Sequence, residues 1–270
     1  EDEVLRSWQG LGYYSRARNL HTAAQQIVSL GHFPNTFEDI KKLKGVGDYT
    51  AAAIGSIAFN LPVAVVDGNV YRVLSRYFGI ETPINSTDGK KEFSALAQSL
   101  LPTDQPSSFN QAMMDFGAIQ CTPTSPHCMD CPLTERCEAF RSDRIGLLPV
   151  KIKTIKIKTR HFTYIYLRYQ NMTAIHRRPA GDIWQGLWEP LLIENEEIPN
   201  IKGKLTLLKQ KVKHVLTHQI IYADFYLLET QSKPELPKDF IWINESELDN
   251  YAIPRLVEIL TENLNLFKGK

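Results

Sequence analysis

The chain has 270 residues, 43% hydrophobic and 23% charged, with a net charge of +1. That is an ordinary globular composition, long enough for two domains. Its apolar runs fall far short of the roughly 18 residues a membrane-spanning helix needs, so no membrane partner is expected. No basic-then-apolar leader opens it. A charge so near zero gives no general attraction for nucleic acid, so any such function must rest on motifs.

Residues 1–140 hold 11 Lys and Arg against 15 Asp and Glu, a net of −4, and read as helical. Gly10-Leu11-Gly12-Tyr13-Tyr14-Ser15-Arg16-Ala17-Arg18 sets two glycines around a leucine, then two aromatics and two arginines. It suits either a packed aromatic helix start or a loop that inserts side chains into a duplex. Thr36 and Asp39 make a capping-box-like start, with Phe37, Ile40 and Leu43 on one face. The turn Leu43-Lys44-Gly45-Val46-Gly47 follows, and a helix is expected from about Tyr49 to Phe59. A tight glycine turn before a helix can be simple punctuation, or it can hold a phosphate on outward N–H groups.

An apolar stretch leads into Asp67, and a helix is expected from Gly68 to Phe78 with Val70, Val73, Leu74, Tyr77 and Phe78 on one face. Asp67 therefore sits at an N-cap, where aspartate is favoured for structural reasons alone. A fourth helix, about Phe109 to Ile119, ends at the first cysteine. All four cysteines follow within seventeen residues: Cys121, Cys128, Cys131 and Cys137, spaced C-x6-C-x2-C-x5-C. Such bunching favours metal ligation over disulfides, and four thiolates suit zinc or a [4Fe–4S] cluster.

Residues 141–160 carry seven basic residues against Asp143, which suits a linker or a phosphate-tracking stripe. Strand-like runs come next at 161–167, 173–175, 220–228 and 240–243, and a helix from about Pro254 to Phe267 closes the chain.

The cysteine spacing resembles the cluster loop of the endonuclease III superfamily of DNA glycosylases. The order of glycine hairpin, Asp67 twenty residues later and cysteine loop resembles its helix-hairpin-helix members. Val65-Val66-Asp67-Gly68-Asn69-Val70 is most similar to the adenine DNA glycosylase family, the MutY type. His176-Arg177-Arg178-Pro179 and Trp184-Gln185-Gly186-Leu187-Trp188-Glu189-Pro190 resemble that family's C-terminal Nudix-like domain.

The resemblance implies a multi-domain protein. Residues 1–120 would form an all-α helix-hairpin-helix glycosylase domain, 121–137 an iron–sulfur loop, 138–160 a linker, and 161–270 an α+β Nudix-like lesion-recognition domain. The start of the first domain would lie upstream, with the glutamate that protonates adenine. The implied activity is hydrolytic removal of adenine opposite 8-oxoguanine or guanine in double-stranded DNA. The protein would be a cytoplasmic monomer, nucleoid-associated if bacterial, with a [4Fe–4S] cofactor on Cys121, Cys128, Cys131 and Cys137.

Asp67 would stabilise the oxocarbenium-like sugar and Asn69 would orient it or a water. Tyr49 stands where lyases of the superfamily carry lysine, and is expected beside Asp67 as a hydrogen-bonding neighbour. That makes the enzyme monofunctional. Leu11 and Tyr13 would form a wedge, Gly45 and Gly47 a phosphate hairpin, and Gln111 an adenine-reading amide. Thr217 and His218 would read the lesion, next to a Leu216 that stands where the family carries phenylalanine. Glu194-Asn195-Glu196-Glu197 does not supply the acidic helix of an active Nudix site. The alternatives are a bifunctional endonuclease III-type glycosylase/lyase and a non-catalytic lesion-binding protein.

Overall fold

The computed structural model describes residues 1–152, 156–199 and 201–264. Contacts divide the chain into two compact units: residues 22–154, and a second made of 1–21 with 155–270. The expected helical domain 1–120 is thus split at residue 21, and each unit is described by itself.

Two helices open the chain, α1 (Asp2–Ser7) and α2 (Ser15–Leu30). The helical unit continues with α3 (Phe37–Lys41), α4 (Asp48–Phe59), α5 (Gly68–Phe78), α6 (Thr87–Leu100), α7 (Pro106–Asp115) and a short α8 (Glu138–Arg141). Thr36 caps α3 as its pattern predicts, its hydroxyl accepting from the Asp39 N–H at 3.2 Å. α7 begins three residues before the expected Phe109, because Pro106 takes a first-turn position where its missing N–H costs nothing. The same pattern does not run unbroken to Ile119: Phe116–Gln120 is a π-helical turn. α5 has the expected bounds and buries Val70 and Leu74 against Ile84, Phe93 and Ala97. Its arginines depart from the amphipathic expectation, since Arg72 and Arg76 are buried as well.

The second unit is built on a sheet of β1 (Lys158–Tyr169), β2 (Met172–Arg177), β3 (Trp188–Glu189), β4 (Leu191–Glu194), β5 (Lys204–Val215), β6 (Gln219–Glu229) and β7 (Phe240–Asn244). The order is β3-β2-β1-β6-β5, with β4 on β1 and β7 on β2; β1 and β6 run parallel. α9 (Arg255–Asn263) buries Leu256, Val257 and Leu260 against Tyr164, Ile221 and Phe225 on one face. Of the expected closing helix, residues 265–267 lie outside the described residues. Leu5, Tyr14 and Ala17 pack with Leu187 and Ala252, which is why residues 1–21 belong to this unit. The 141–160 stretch is not a continuous basic stripe. Arg144 bonds Glu81, Arg160 is buried, and Lys153 lies outside the described residues. Among the described residues no helix is long and apolar enough to cross a membrane.

Candidate functional site

Asp67 is the N-cap of α5, and the geometry holds its carboxylate from three sides. Oδ1 accepts the N–H groups of Asn69 and Val70, each at 2.8 Å, and Oδ2 accepts the Asn69 side-chain amide at 2.9 Å. Asn69 is fixed in turn, its Oδ1 accepting from Arg72 Nη2 at 2.9 Å. Gly117, in the π-helical turn, allows close approach here. A Cβ on it would lie 2.6 Å from the Asn69 Cβ, closer than real atoms come. The backbone entering Asp67 is clamped by Asn110, which is 2% exposed. Its Oδ1 accepts the Val65 N–H at 3.0 Å and its Nδ2 donates to the Val63 carbonyl at 2.9 Å.

The buried arginines of α5 reach the cysteine loop. Arg72 donates to the Gly117 and Cys121 carbonyls at 2.6 and 2.7 Å. Arg76 donates to the Thr122 and Pro123 carbonyls at 2.7 and 3.1 Å, and to Cys121 Sγ at 3.4 Å. Cys121, Cys128, Cys131 and Cys137 line one cavity, walled by Val73, Tyr77, Phe116 and Phe140. Burial raises the Cys128 thiol, and so do the three neighbouring thiols. Among the described residues, no three potential ligands converge closely enough to share a single ion.

The hairpin Leu43–Gly47 joins α3 to α4. Gly45 has φ +78, a left-handed conformation that favours glycine, and Gly47 caps α4 without a side-chain bond. Val46 N–H closes the turn on Leu43 O at 3.1 Å. Tyr49 departs from expectation. It is 49% exposed and makes no hydrogen bond to Asp67, whose carboxylate is held by Asn69 and Val70. In the first turn of α4, Tyr49 lines a pocket with Val66, Tyr71, Lys90 and Gln98. Gln111 is exposed, and its amide donates to Asp115 at 2.9 Å.

The second unit has its own cleft, which brings together Leu11, Tyr13, Thr217 and His218 with Asp182 and Trp184. Leu11 and Tyr13 are 64% and 65% exposed, as a wedge requires. Tyr13 OH and Thr217 Oγ1 share a hydrogen bond of 2.8 Å. Asp182 ties the cleft to an ionic network. Arg160 binds Asp182 through two bonds of 2.7 and 2.8 Å and also binds Glu194. Arg178 joins Asp182 and Glu189 at 2.7 Å. Its hydrogen bond to Arg160 holds the Asp182 carboxyl down to about 2. Glu189 is buried, which pushes its carboxyl up despite the Arg178 guanidinium. Glu194 is thereby engaged as a salt-bridge partner, and no helix follows it before β5 among the described residues. The His214 ring lies 5.6 Å from that of Trp184 with the planes tilted by 60°, and burial lowers its pKa.

Residues 1–102 match the profile of the HhH-GPD superfamily base excision DNA repair proteins, and residues 163–263 match the NUDIX domain. The adenine DNA glycosylase of Buchnera aphidicola subsp. Schizaphis graminum is 34% identical over 278 residues, covering 97% of this chain and 79% of that protein. The chain belongs to the adenine DNA glycosylase family. The enzyme of the Baizongia pistaciae subspecies is 35% identical, over 83% of this chain and 66% of its own length. That of Arabidopsis thaliana is 40% identical, over 72% of this chain and 34% of its own. The chain thus spans between a third and two thirds of these two relatives.

Within this chain, the supporting residues carry no local sequence signal. Asn110, Arg72, Arg76 and Gly117 are defined by partners about 45 residues away. Only the polarity of Arg72 and Arg76 beside a row of valines and leucines hinted at a second buried face.

Proposed function

We propose that the whole protein is a monofunctional DNA glycosylase that hydrolyses the N-glycosidic bond of adenine opposite 8-oxoguanine or guanine in double-stranded DNA. The observation that carries the reading is the Asp67 carboxylate, held by two N–H groups and the Asn69 amide. As the bond to adenine breaks, its electrons leave with the base, which takes up a proton, and positive charge develops on the sugar. A fixed carboxylate stabilises that charge without reorganising as it forms. Water then adds to the sugar carbon and loses a proton. Asn69 positions the carboxylate, and Arg72 positions Asn69. The adenine must first leave the helix stack, with Gly45 and Gly47 holding backbone phosphate and the exposed Gln111 exchanging its bond to Asp115 for the base edge. Tyr49 carries a phenol, which cannot form an imine, so the product is an intact abasic site.

The cleft at Tyr13, Thr217 and His218 suits the opposing 8-oxoguanine, with Leu11 filling the step it leaves. The four cysteines fit a [4Fe–4S] cluster, which takes four thiolate ligands. All four thiols line one cavity, so a single centre could take all of them as ligands. When bound, such a cluster would tie the loop together as a structural cross-link. The protein would act as a monomer on cytoplasmic, nucleoid DNA.

The test is single-turnover excision from an A:8-oxoguanine duplex, comparing the whole protein with its Asp67→Asn variant. The variant should lose at least about 100-fold, the scale of removing one group that meets transition-state charge. Undiminished excision would refute the assignment. Borohydride should trap no covalent adduct through residue 49.

A further inference from the structure

The sheet of the 155–270 unit carries a surface that meets the Thr217 cleft only at Val215. Lys213, Tyr222 and His161 lie in one row across β5, β6 and β1, and cross-strand partners share a face. The opposite face belongs to Ile221, Ala223 and Phe225, covered by α9. The Tyr222 and His161 rings stack at 5.7 Å with 20° between their planes. Toward the β5–β6 turn the next row is Val215, Ile220 and Thr159, with Val215 63% exposed.

Beside the row, β5 bends through two register shifts around Lys209, and Lys211 sits at φ +53. The Lys211 N–H donates to Asp224 Oδ1 at 2.7 Å, so the nearest carboxylate is held by backbone. Lys209, Lys211 and Lys213 are exposed and form no ion pair among the described residues. Lysines on an edge strand can serve merely to prevent edge-to-edge pairing. That role needs neither the aromatic row nor the hydroxyl of Thr159 beside it.

We propose that this edge and row form a second DNA contact, taking backbone phosphates of the strand whose base enters the cleft at Thr217 and His218. The inference rests on the lesion-binding reading of that cleft. Lys213 precedes the turn at Leu216 by about 10 Å of strand. Phosphates of one DNA strand advance about 3.4 Å per nucleotide, so the lysines begin about three nucleotides from the held base. The contact is independent of sequence and gives affinity, while the cleft gives discrimination.

The test is fluorescence anisotropy with matched duplexes, one with A:8-oxoguanine and one undamaged, from about 50 to 200 mM salt. The variant is Lys209→Gln/Lys211→Asn/Lys213→Gln, since asparagine tolerates the left-handed backbone. Each lost phosphate contact lowers the log–log salt slope by about 0.9, so the slope should fall by roughly 2–3. Affinity at low salt should fall at least about 10-fold on both duplexes, leaving their ratio unchanged. Lys213→Gln alone should lower the slope by about 0.9, and an unchanged urea midpoint shows that either variant is folded. Thr217→Val should reduce the ratio and keep the slope. An unchanged slope in the lysine variants, with lesion preference intact, overturns the contact and leaves the cleft reading standing. Absence of lesion preference in the unaltered protein overturns the cleft reading, and absence of any DNA binding overturns both.

Discussion

Replacing Asn110 with alanine tests whether the backbone that delivers Asp67 is held from behind. The side chain is 2% exposed and makes one bond to Val65 N–H and one to the Val63 carbonyl. Truncation removes both and leaves two backbone groups facing a small void without partners. Each unsatisfied buried group costs about 1–3 kcal/mol, so the expected loss is about 2–5 kcal/mol. With a urea slope of about 2 kcal/mol per molar, the midpoint of the helical unit should drop by about 1–2 M. The four tryptophans, Trp8, Trp184, Trp188 and Trp242, all lie in the other unit, so fluorescence reports that unit alone. Far-UV circular dichroism at the helical band reports mainly residues 22–154. The dichroism midpoint should therefore move more than the fluorescence midpoint. A dichroism midpoint within about 0.2 M of the unaltered protein would show that 63–65 is held by something other than Asn110, and the clamp would be refuted.

Three further outcomes follow from the same geometry. Gly117→Ala puts a Cβ 2.6 Å from the Asn69 Cβ; it should slow single-turnover adenine excision at least about 10-fold with little change in duplex affinity, and a wild-type rate would show that Asn69 can move freely. The Asp182 carboxyl is depressed to about 2 by Arg160, so its stabilisation is present above its unfolded value near 4 and is lost as pH falls toward 2. Allowing for its one-third exposure, that is on the order of 1–2 kcal/mol, and Arg160→Gln should move the acid transition seen by tryptophan fluorescence to higher pH; an unmoved transition would count against the pairing. Anaerobically purified protein should carry iron and sulfide in equal amounts with no zinc, whereas one zinc per chain would overturn the cluster assignment.

Legibility followed distance along the chain. Asp67 could be placed at an N-cap because the apolar lead-in, the aspartate and the α5 periodicity all lie within a few residues. Thr36 and the glycine hairpin were legible for the same reason. Tyr49 was expected beside Asp67, yet a residue in the first turn of α4 takes its direction from that helix's packing, which turns it toward Tyr71 and Lys90. β5 was not legible because Lys204, Lys209, Lys211 and Lys213 break the apolar alternation. An edge strand needs little of it, being paired on one side only. The place of residues 1–21 was hidden because Leu5, Tyr14 and Ala17 find Leu187 and Ala252 more than 160 residues away.

α5 links the aspartate to the cysteine loop through a chain of hydrogen bonds. Its first residue follows the carboxylate, and its two buried arginines end on carbonyls of the loop and of the π-helical turn. Five donated bonds from two guanidiniums reach Gly117, Cys121, Thr122 and Pro123. Such charge-assisted bonds in a buried setting are costly to leave unmade. A loop displaced by a lost thiolate would therefore release Gly117 from Asn69, and Asn69 from the carboxylate it orients. Damage at Cys121 should then resemble damage at Gly117, with reduced excision at retained hairpin binding. Damage confined to Cys131, whose backbone meets neither arginine, should reach Asp67 only if the whole loop comes loose.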